Sequence, residues 1–200
     1  MDKYSILKQY YGHSAFRAGQ EELIDSILSG RDALCVMPTG AGKSVCYQVP
    51  ALLLPGITLV ISPLISLMKD QVESLTQAGV HAAYLNSSLT PAQYSRALHN
   101  LSEGLYKLVY VAPERLSTEN FRTAVENLNI SLIAVDEAHC VSQWGQDFRP
   151  DYLKIAEFAE SLKNRPTIGA FTATATKAVR KDIAEHLHLS LIHISDPTRP

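Results

Sequence analysis

The chain has 200 residues, 46% of them hydrophobic, enough to bury one substantial core and to exclude disorder as the main state. With 18 Lys and Arg against 20 Asp and Glu, a formal charge of -2 supplies no general attraction for a polyanion, so nucleic-acid binding must be local. Its 3 cysteines, Cys35, Cys46 and Cys140, are too widely spaced for a redox pair or a zinc knuckle, which argues against a disulfide frame or structural metal and for a reducing compartment.

In chain order, apolar runs lie at Ala33 to Met37, Ile57 to Ile61, Ala82 to Leu85, Leu108 to Val111, Leu132 to Val135 and Thr167 to Phe171. Most lack polar alternation, the pattern of strands covered on both faces. Apolar residues at helical spacing lie among them: Leu23, Ile24, Ile27 and Leu28; Leu64, Leu67, Met68, Val72 and Leu75; Tyr94, Ala97, Leu98 and Leu101; Val179, Ile183 and Leu187. Thr90 and Gln93 make a capping box around Pro91, and Pro63 is placed to open the helix after the second strand. The uncharged stretch from Ser44 to Met68 is long enough for a membrane span, but Pro50, Pro55, Gly56 and Pro63 divide it into a buried helix, a turn, a strand and the next helix start. No membrane partner is therefore expected. The chain opens Met-Asp-Lys-Tyr4, without the basic and apolar regions of a secretory signal, so the expected location is cytoplasmic. Alternating strands and helices with right-handed crossovers predict an α/β fold, a parallel sheet with helices on both faces and ligands at the carboxyl ends of its strands.

Met37-Pro-Thr-Gly-Ala-Gly-Lys-Ser44 follows the first strand and opens a helix, the context that a phosphate-binding loop requires. The backbone N–H groups of Thr39, Gly40, Ala41, Gly42, Lys43 and Ser44 would converge on phosphates, with the Lys43 ammonium facing the β and γ oxygens and the Ser44 hydroxyl reaching Mg²⁺. A glycine-rich turn with a surface lysine is the plainer reading, and the coincidence of strand, glycines, Gly-Lys-Ser and helix weighs against it. Leu132-Ile-Ala-Val-Asp-Glu-Ala-His139 ends an apolar strand in two carboxylates that this fold would bring beside the loop. Asp136 would hold Mg²⁺ through water, and Glu137 would polarise a water for in-line attack on the γ-phosphate of ATP. A solvated acidic pair at a strand end is the alternative.

Joined to Thr39-Gly-Ala-Gly-Lys-Ser44, the Asp136-Glu-Ala-His139 tetrapeptide resembles the first RecA-like motor domain of superfamily-two helicases, and further blocks resemble the RecQ family of DNA helicases. Tyr11-Gly-His-Ser-Ala-Phe-Arg-Ala-Gly-Gln20 is similar to that family's adenine-reading motif, which implies that Gln20 pairs with the adenine edge while His13 and Arg17 flank the ring. Ser62-Pro-Leu-Ile-Ser-Leu-Met-Lys-Asp-Gln71 and Val111-Ala-Pro-Glu-Arg115 look like its DNA-tracking motifs, which implies strand-phosphate contacts at Ser62, Lys69 and Arg115. Cys140-Val-Ser-Gln-Trp-Gly-Gln-Asp-Phe-Arg-Pro-Asp-Tyr152 is similar to its aromatic-rich loop, which couples strand binding to hydrolysis. There Trp144 and Phe148 offer faces for base stacking, about 1 to 3 kcal/mol per base, and Arg149 supplies charge. A buried aromatic cluster stays open for Phe148 and Tyr152. Phe171-Thr-Ala-Thr-Ala-Thr176 resembles the motif that links His139 to a second motor domain through Thr172 and Thr174; helix capping is the alternative for Thr174 and Thr176.

The resemblance implies an ATP-dependent helicase that uses Mg²⁺, acts 3′ to 5′ on single-stranded and partially duplex DNA in repair or recombination, and works with a second RecA-like domain in cis. It covers residues 1–189, the expected ATP-binding domain. Ala41 stands where a third glycine is common, Gln146 where the family has histidine, and His13 where an aromatic is frequent. Ser190 to Pro200 does not continue as the family's connector and looks like translated sequencing-adaptor sequence, so residues 190–200 are expected to be a non-native, poorly packed tail. Without a second motor domain and its arginine finger, the chain alone is expected to be nearly inactive. Two other readings stay open: a nucleotide-dependent strand-binding module without hydrolysis, and a DEAH-type helicase directed at RNA.

Overall fold

A computed structural model of the chain describes residues 1–145, 147–190 and 193–195, the last three in their backbone only. Its strands are β1 (Ala33–Val36), β2 (Ile57–Ile61), β3 (Ala82–Leu85), β4 (Leu108–Val111), β5 (Ile130–Val135), β6 (Thr167–Thr172) and β7 (His193–Ser195). The helices are α1 (Lys3–Tyr11), α2 (Gln20–Leu28), α3 (Lys43–Leu53), α4 (Ile65–Gln77), α5 (Pro91–Ser102), α6 (Glu119–Val125), α7 (Lys154–Ser161) and α8 (Lys177–His186). The strands form one sheet in the order β3-β4-β2-β5-β6-β1-β7, and every pairing is parallel.

Successive strand residues point to opposite faces, and both faces are dry. Leu59, Ile61, Val109, Ile133 and Val135 pack with Leu98 and Leu101 of α5, Phe121 of α6, Phe158 of α7 and Ile183 of α8. Val60, Leu108, Leu132 and Ala134 pack on the other face with Leu23 and Ile27 of α2, Cys46 and Tyr47 of α3, and Met68 and Val72 of α4. A smaller cluster of Ile6, Ile24 and Val49 fastens α1 to this second layer. All three cysteines are buried and free.

The capping box forms as spaced: Gln93 N–H donates to Thr90 Oγ1 at 3.3 Å, Thr90 N–H to Gln93 Oε1 at 2.9 Å, with Pro91 in the first turn. Thr176 likewise caps α8. Pro63 does not open α4, because Leu64 is the extended N-cap residue and its N–H is held by Ser62 Oγ at 3.4 Å. Pro50 does not end α3. The helix runs on to Leu53 because Cys46, Tyr47, Val49 and Ala51 are buried, and that burial outweighs the donor a proline removes.

Two parts of the expected tail from Ser190 onward make contacts. Ser190 donates through N–H and Oγ to the buried carboxylate of Asp32, at 2.8 and 3.0 Å, and the backbone of His193–Ser195 pairs with β1. A buried carboxylate needs donors, and the exposed edge of β1 offers an unpaired ladder. Residues 191–192 and 196–200 of the expected tail, and Gln146, lie outside the described residues.

Candidate nucleotide and nucleic-acid site

Strands β1, β6 and β5 are neighbours, with Val36 opposite Thr172 and Ala134 opposite Gly169. Their carboxyl ends therefore deliver the loop after β1, the Asp136–His139 turn after β5 and Thr172 of β6 to one edge of the sheet. In the loop, Gly40 and Gly42 have φ of 81° and 89°, a region that penalises a Cβ. A side chain at Gly42 would also strike Gln20 Nε2. The loop's carbonyls are held from outside: Arg17 Nη1 donates to Gly40 O at 2.8 Å, and Gln20 Nε2 to Ala41 O and Gly42 O at 3.2 Å each. The Ala41 N–H is directed to Pro38 O at 3.1 Å, so it does not join the other loop amides as expected. Lys43 and Ser44 open α3 and carry the unpaired amides of its first turn.

The acidic turn closes on this loop. Lys43 Nζ lies 3.4 Å from Glu137 Oε1, and Glu137 Oε2 lies 3.3 Å from His139 Nδ1. Glu137 adopts φ 48° and ψ 46°, a left-handed conformation that is strained for a residue with a Cβ and that cross-links to Lys43 and His139 hold in place. Thr172 Oγ1 donates to Thr174 O at 3.0 Å and faces His139 Nδ1 at 2.9 Å. Thr172 thus ties the His139 ring to the Thr174 backbone. Asp136 is 93% buried in effect, with only 7% of its surface exposed; burial first, then the charge of Glu137, raise its pKa, and Lys43 draws it back.

Two residues here were not singled out as site residues in the sequence. Tyr152 is fully buried and its hydroxyl donates to the Asp136 carbonyl at 2.8 Å, so this member of the aromatic block is core and pins the acidic turn. Tyr47, three residues beyond Ser44 on α3, is buried, and burial first, with Tyr110 and Asp136 nearby, raises the pKa of its hydroxyl. Its only sequence signal is its place one turn into the helix that the loop opens.

The expected strand-binding residues divide. Ser62 is corrected: it is 1% exposed and donates to Asp136 Oδ2 at 3.4 Å, so it supports the acidic turn and cannot touch a strand. Gln20 is buried at 3% exposure with both ends of its amide bonded, Oε1 accepting from Arg17 N–H at 2.8 Å. Lys69 is exposed on α4 beside Glu73. Arg115 is half-buried over Tyr94, and His13 is exposed. Trp144 is 80% exposed, the largest such aromatic face in the site, and shares a cleft of about 300 Å³ with His139, Thr174 and Thr176. Phe148 is half-buried, and Arg149 pairs at the surface with Asp147 Oδ2 at 3.0 Å. Among the described residues no group of three or more His, Cys, Asp or Glu could hold a metal, and no helix is long and apolar enough to cross a membrane.

A family model described as DEAD/DEAH box helicase matches residues 17–182. The chain belongs to the DEAD/DEAH box helicase family. Within it, the ATP-dependent DNA helicase RecQ of Bacillus subtilis is 50% identical over 186 residues, 92% of this chain and 32% of that protein. RecQ of Haemophilus influenzae is 50% identical over 189 residues, 94% of this chain and 30% of that one. The chain thus spans about a third of the length of these relatives. The crystal structure of the Hef helicase domain from Pyrococcus furiosus matches with a TM-score of 0.69 at 22% identity, over 92% of this chain and 38% of that one, a likeness of fold. Over the residues it spans, this DEAD/DEAH box domain is about half identical to proteins named RecQ helicases.

Proposed function

We propose that the chain is the ATP-binding motor domain of a RecQ-like DNA helicase that couples Mg-ATP hydrolysis to 3′-to-5′ movement along a single strand and to opening of partially duplex DNA. The observation that carries this reading is the Lys43–Glu137 contact at 3.4 Å, made across 94 residues of sequence at the edge where three strands end. Lys43 would leave Glu137 for the β and γ oxygens of ATP, freeing that carboxylate to orient the attacking water. Ser44 and Asp136 would hold Mg²⁺, and the donor set suits it: a hydroxyl and one buried carboxylate, with phosphates and water for the remaining positions. The cation would supply charge neutralisation between the phosphates.

His139, tied to Thr172 and through it to Thr174, is set to pass the state of the site to a second RecA-like domain in cis. Gln20, Arg17 and His13 would receive the base. Lys69, Arg115, Trp144 and Phe148 would meet the strand, with Arg149 ordering the loop through Asp147. Residues 1–189 would form the motor unit and 190–200 a non-native extension, and the setting would be cytoplasmic DNA repair or recombination. The DNA preference rests on the half-identity to proteins named DNA helicases.

The test is thermal melting with Mg-ATP, since a ligand that binds only the folded state stabilises it by mass action. The parent chain should melt higher with Mg-ATP, and Lys43→Ala should abolish the shift. A shift that survives in Lys43→Ala would count against the phosphate-loop assignment.

A further inference from the structure

The loop after the acidic turn is fastened to α8 through a buried serine. Ser142 has no exposed surface, and its hydroxyl donates to Asp182 Oδ2 at 2.6 Å, across 40 residues of sequence. The same oxygen accepts the Trp144 N–H at 3.2 Å, while the Ser142 N–H goes to His139 O at 3.1 Å. Ser142 is therefore a junction between the acidic turn, the Trp144 turn and α8. Its one proton is committed to the carboxylate in a short, charge-assisted hydrogen bond, which turns its lone pairs to the Trp144 N–H. Packing does little to hold Trp144, which is 80% exposed, so its orientation depends on the backbone of this turn. Trp144 and Gly145 line the cleft of about 300 Å³ together with Thr174, Thr176 and Val179, and Asp182 lies one helical turn beyond Val179. The bond from Ser142 to Asp182 thus ties the loop side of the cleft to its helix side.

We infer that Asp182 is a positioning residue for strand binding: through Ser142 it holds Trp144 in the orientation in which the indole meets a base. This rests on the reading of Trp144 as a strand contact, and goes beyond it in assigning a role to Asp182, which lies outside every motif singled out in the sequence. The carboxylate acts only through the serine. What it supplies is order present before the strand arrives, so that less conformational freedom is lost on binding. Charge alone argues in the opposite direction. A carboxylate near a polyanion repels it, so deleting Asp182 as a charge should strengthen strand binding, whereas deleting it as an anchor should weaken it. Asparagine separates the two effects, since its side-chain oxygen still accepts the serine proton while the charge is gone.

Trp144 is the sole tryptophan of the 200 residues, so its fluorescence anisotropy reports on the turn directly. The experiment measures that anisotropy, the circular dichroism, and the affinity for a short labelled oligothymidylate across a salt series. It compares the 200-residue parent with Asp182→Ala, Asp182→Asn, Ser142→Ala, Trp144→Ala and the Trp144→Ala, Asp182→Ala double variant. Asp182→Ala and Ser142→Ala should keep the parent's circular dichroism and lower the anisotropy, whereas Asp182→Asn should stay near the parent. Asp182 is only half-buried, so Ser142→Ala leaves its carboxylate within reach of water and carries the test if Asp182→Ala does not fold. Asp182→Ala should bind the strand about fivefold more weakly with an unchanged salt slope, because no phosphate contact is lost, and Asp182→Asn at least as tightly as the parent. Without Trp144, Asp182→Ala should weaken binding no further, because both act through one contact. An anisotropy unchanged in the Asp182→Ala and Ser142→Ala variants, an Asp182→Asn chain as loose as Asp182→Ala, or a fivefold loss that persists without Trp144 would each overturn the assignment and leave the proposed function standing. Parent-like strand binding by Trp144→Ala, or a parent chain that binds no strand, would overturn it together with the strand-binding part of that function.

Discussion

A carboxylate shut away at the end of a strand weakens a protein until a cation reaches it, and Asp136 is such a group. Burial, followed by the neighbouring Glu137 charge, raises its pKa from the ordinary aspartate value. The folded state then binds the proton more tightly than the unfolded one. Stability from that proton is complete below the unfolded pKa and is lost as pH rises through the raised folded value. At neutral pH, Asp136→Asn should therefore melt higher than the parent without nucleotide, and the difference should shrink as pH falls through that window. For a domain of this size, about 1 kcal/mol corresponds to about 2–4 °C in the midpoint. The same variant should lose the additional stabilisation that Mg²⁺ gives with ATP. An Asp136→Asn midpoint below the parent's at neutral pH would mean that its Lys43 and Ser62 contacts outweigh burial.

At the scale of elements, the link between α2 and the phosphate loop is the least expected feature. Gln20 fastens the Ala41 and Gly42 carbonyls, so Gln20→Ala should loosen the loop as well as remove the proposed base contact. Affinity for both ATP and GTP should fall, with ATP losing more, so that the preference narrows; equal affinities in the parent would remove the base-reading role. Trp144, bare at 80% exposure, makes the complementary case for the loop after the acidic turn. With a second motor domain attached, Trp144→Ala should leave basal ATP hydrolysis nearly intact and depress its stimulation by single-stranded DNA. Unchanged stimulation would dismiss the stacking role. The β2, β3 and β4 bounds were legible to the residue because short runs between turn formers carry a clear boundary, as at Ile57–Ile61 after Pro55-Gly56. Helices α1, α6 and α7 were not legible: α1 buries only Ile6 and Leu7, too few apolar residues to show a period, and α6 is 7 residues long. In the candidate site, the approach of Lys43 to Glu137 could be anticipated because a loop after the first strand and an acidic turn after a neighbouring strand end at one edge of a parallel sheet. Ser62 could not be placed correctly, since its motif says nothing about which way a strand-end hydroxyl turns, and the left-handed backbone of Glu137 leaves no mark on sequence.

For the whole molecule, what matters is how many RecA-like units the 200 residues hold. Their sequence has one Gly-Lys-Ser loop, the described residues form one sheet, and the chain spans about a third of the relatives' length. Unwinding requires two such units that close and open around one nucleotide, turning contacts to the γ-phosphate into relative motion along the strand. Hydrolysis further calls for an arginine finger, a group worth about 10³ to 10⁵ in rate in related phosphoryl-transfer sites. The residues proposed to hold the ground-state complex, Lys43, Ser44, Asp136 and Glu137, all belong to this one domain. The 200-residue chain should accordingly bind Mg-ATP, hydrolyse it at a small fraction of the rate reached when a second motor domain is joined to it, and separate no duplex. Phosphate release and strand separation, followed side by side for the short and the extended chain, measure this. Robust unwinding by the short chain would show that one unit suffices, and the division of labour between two domains would have to be abandoned.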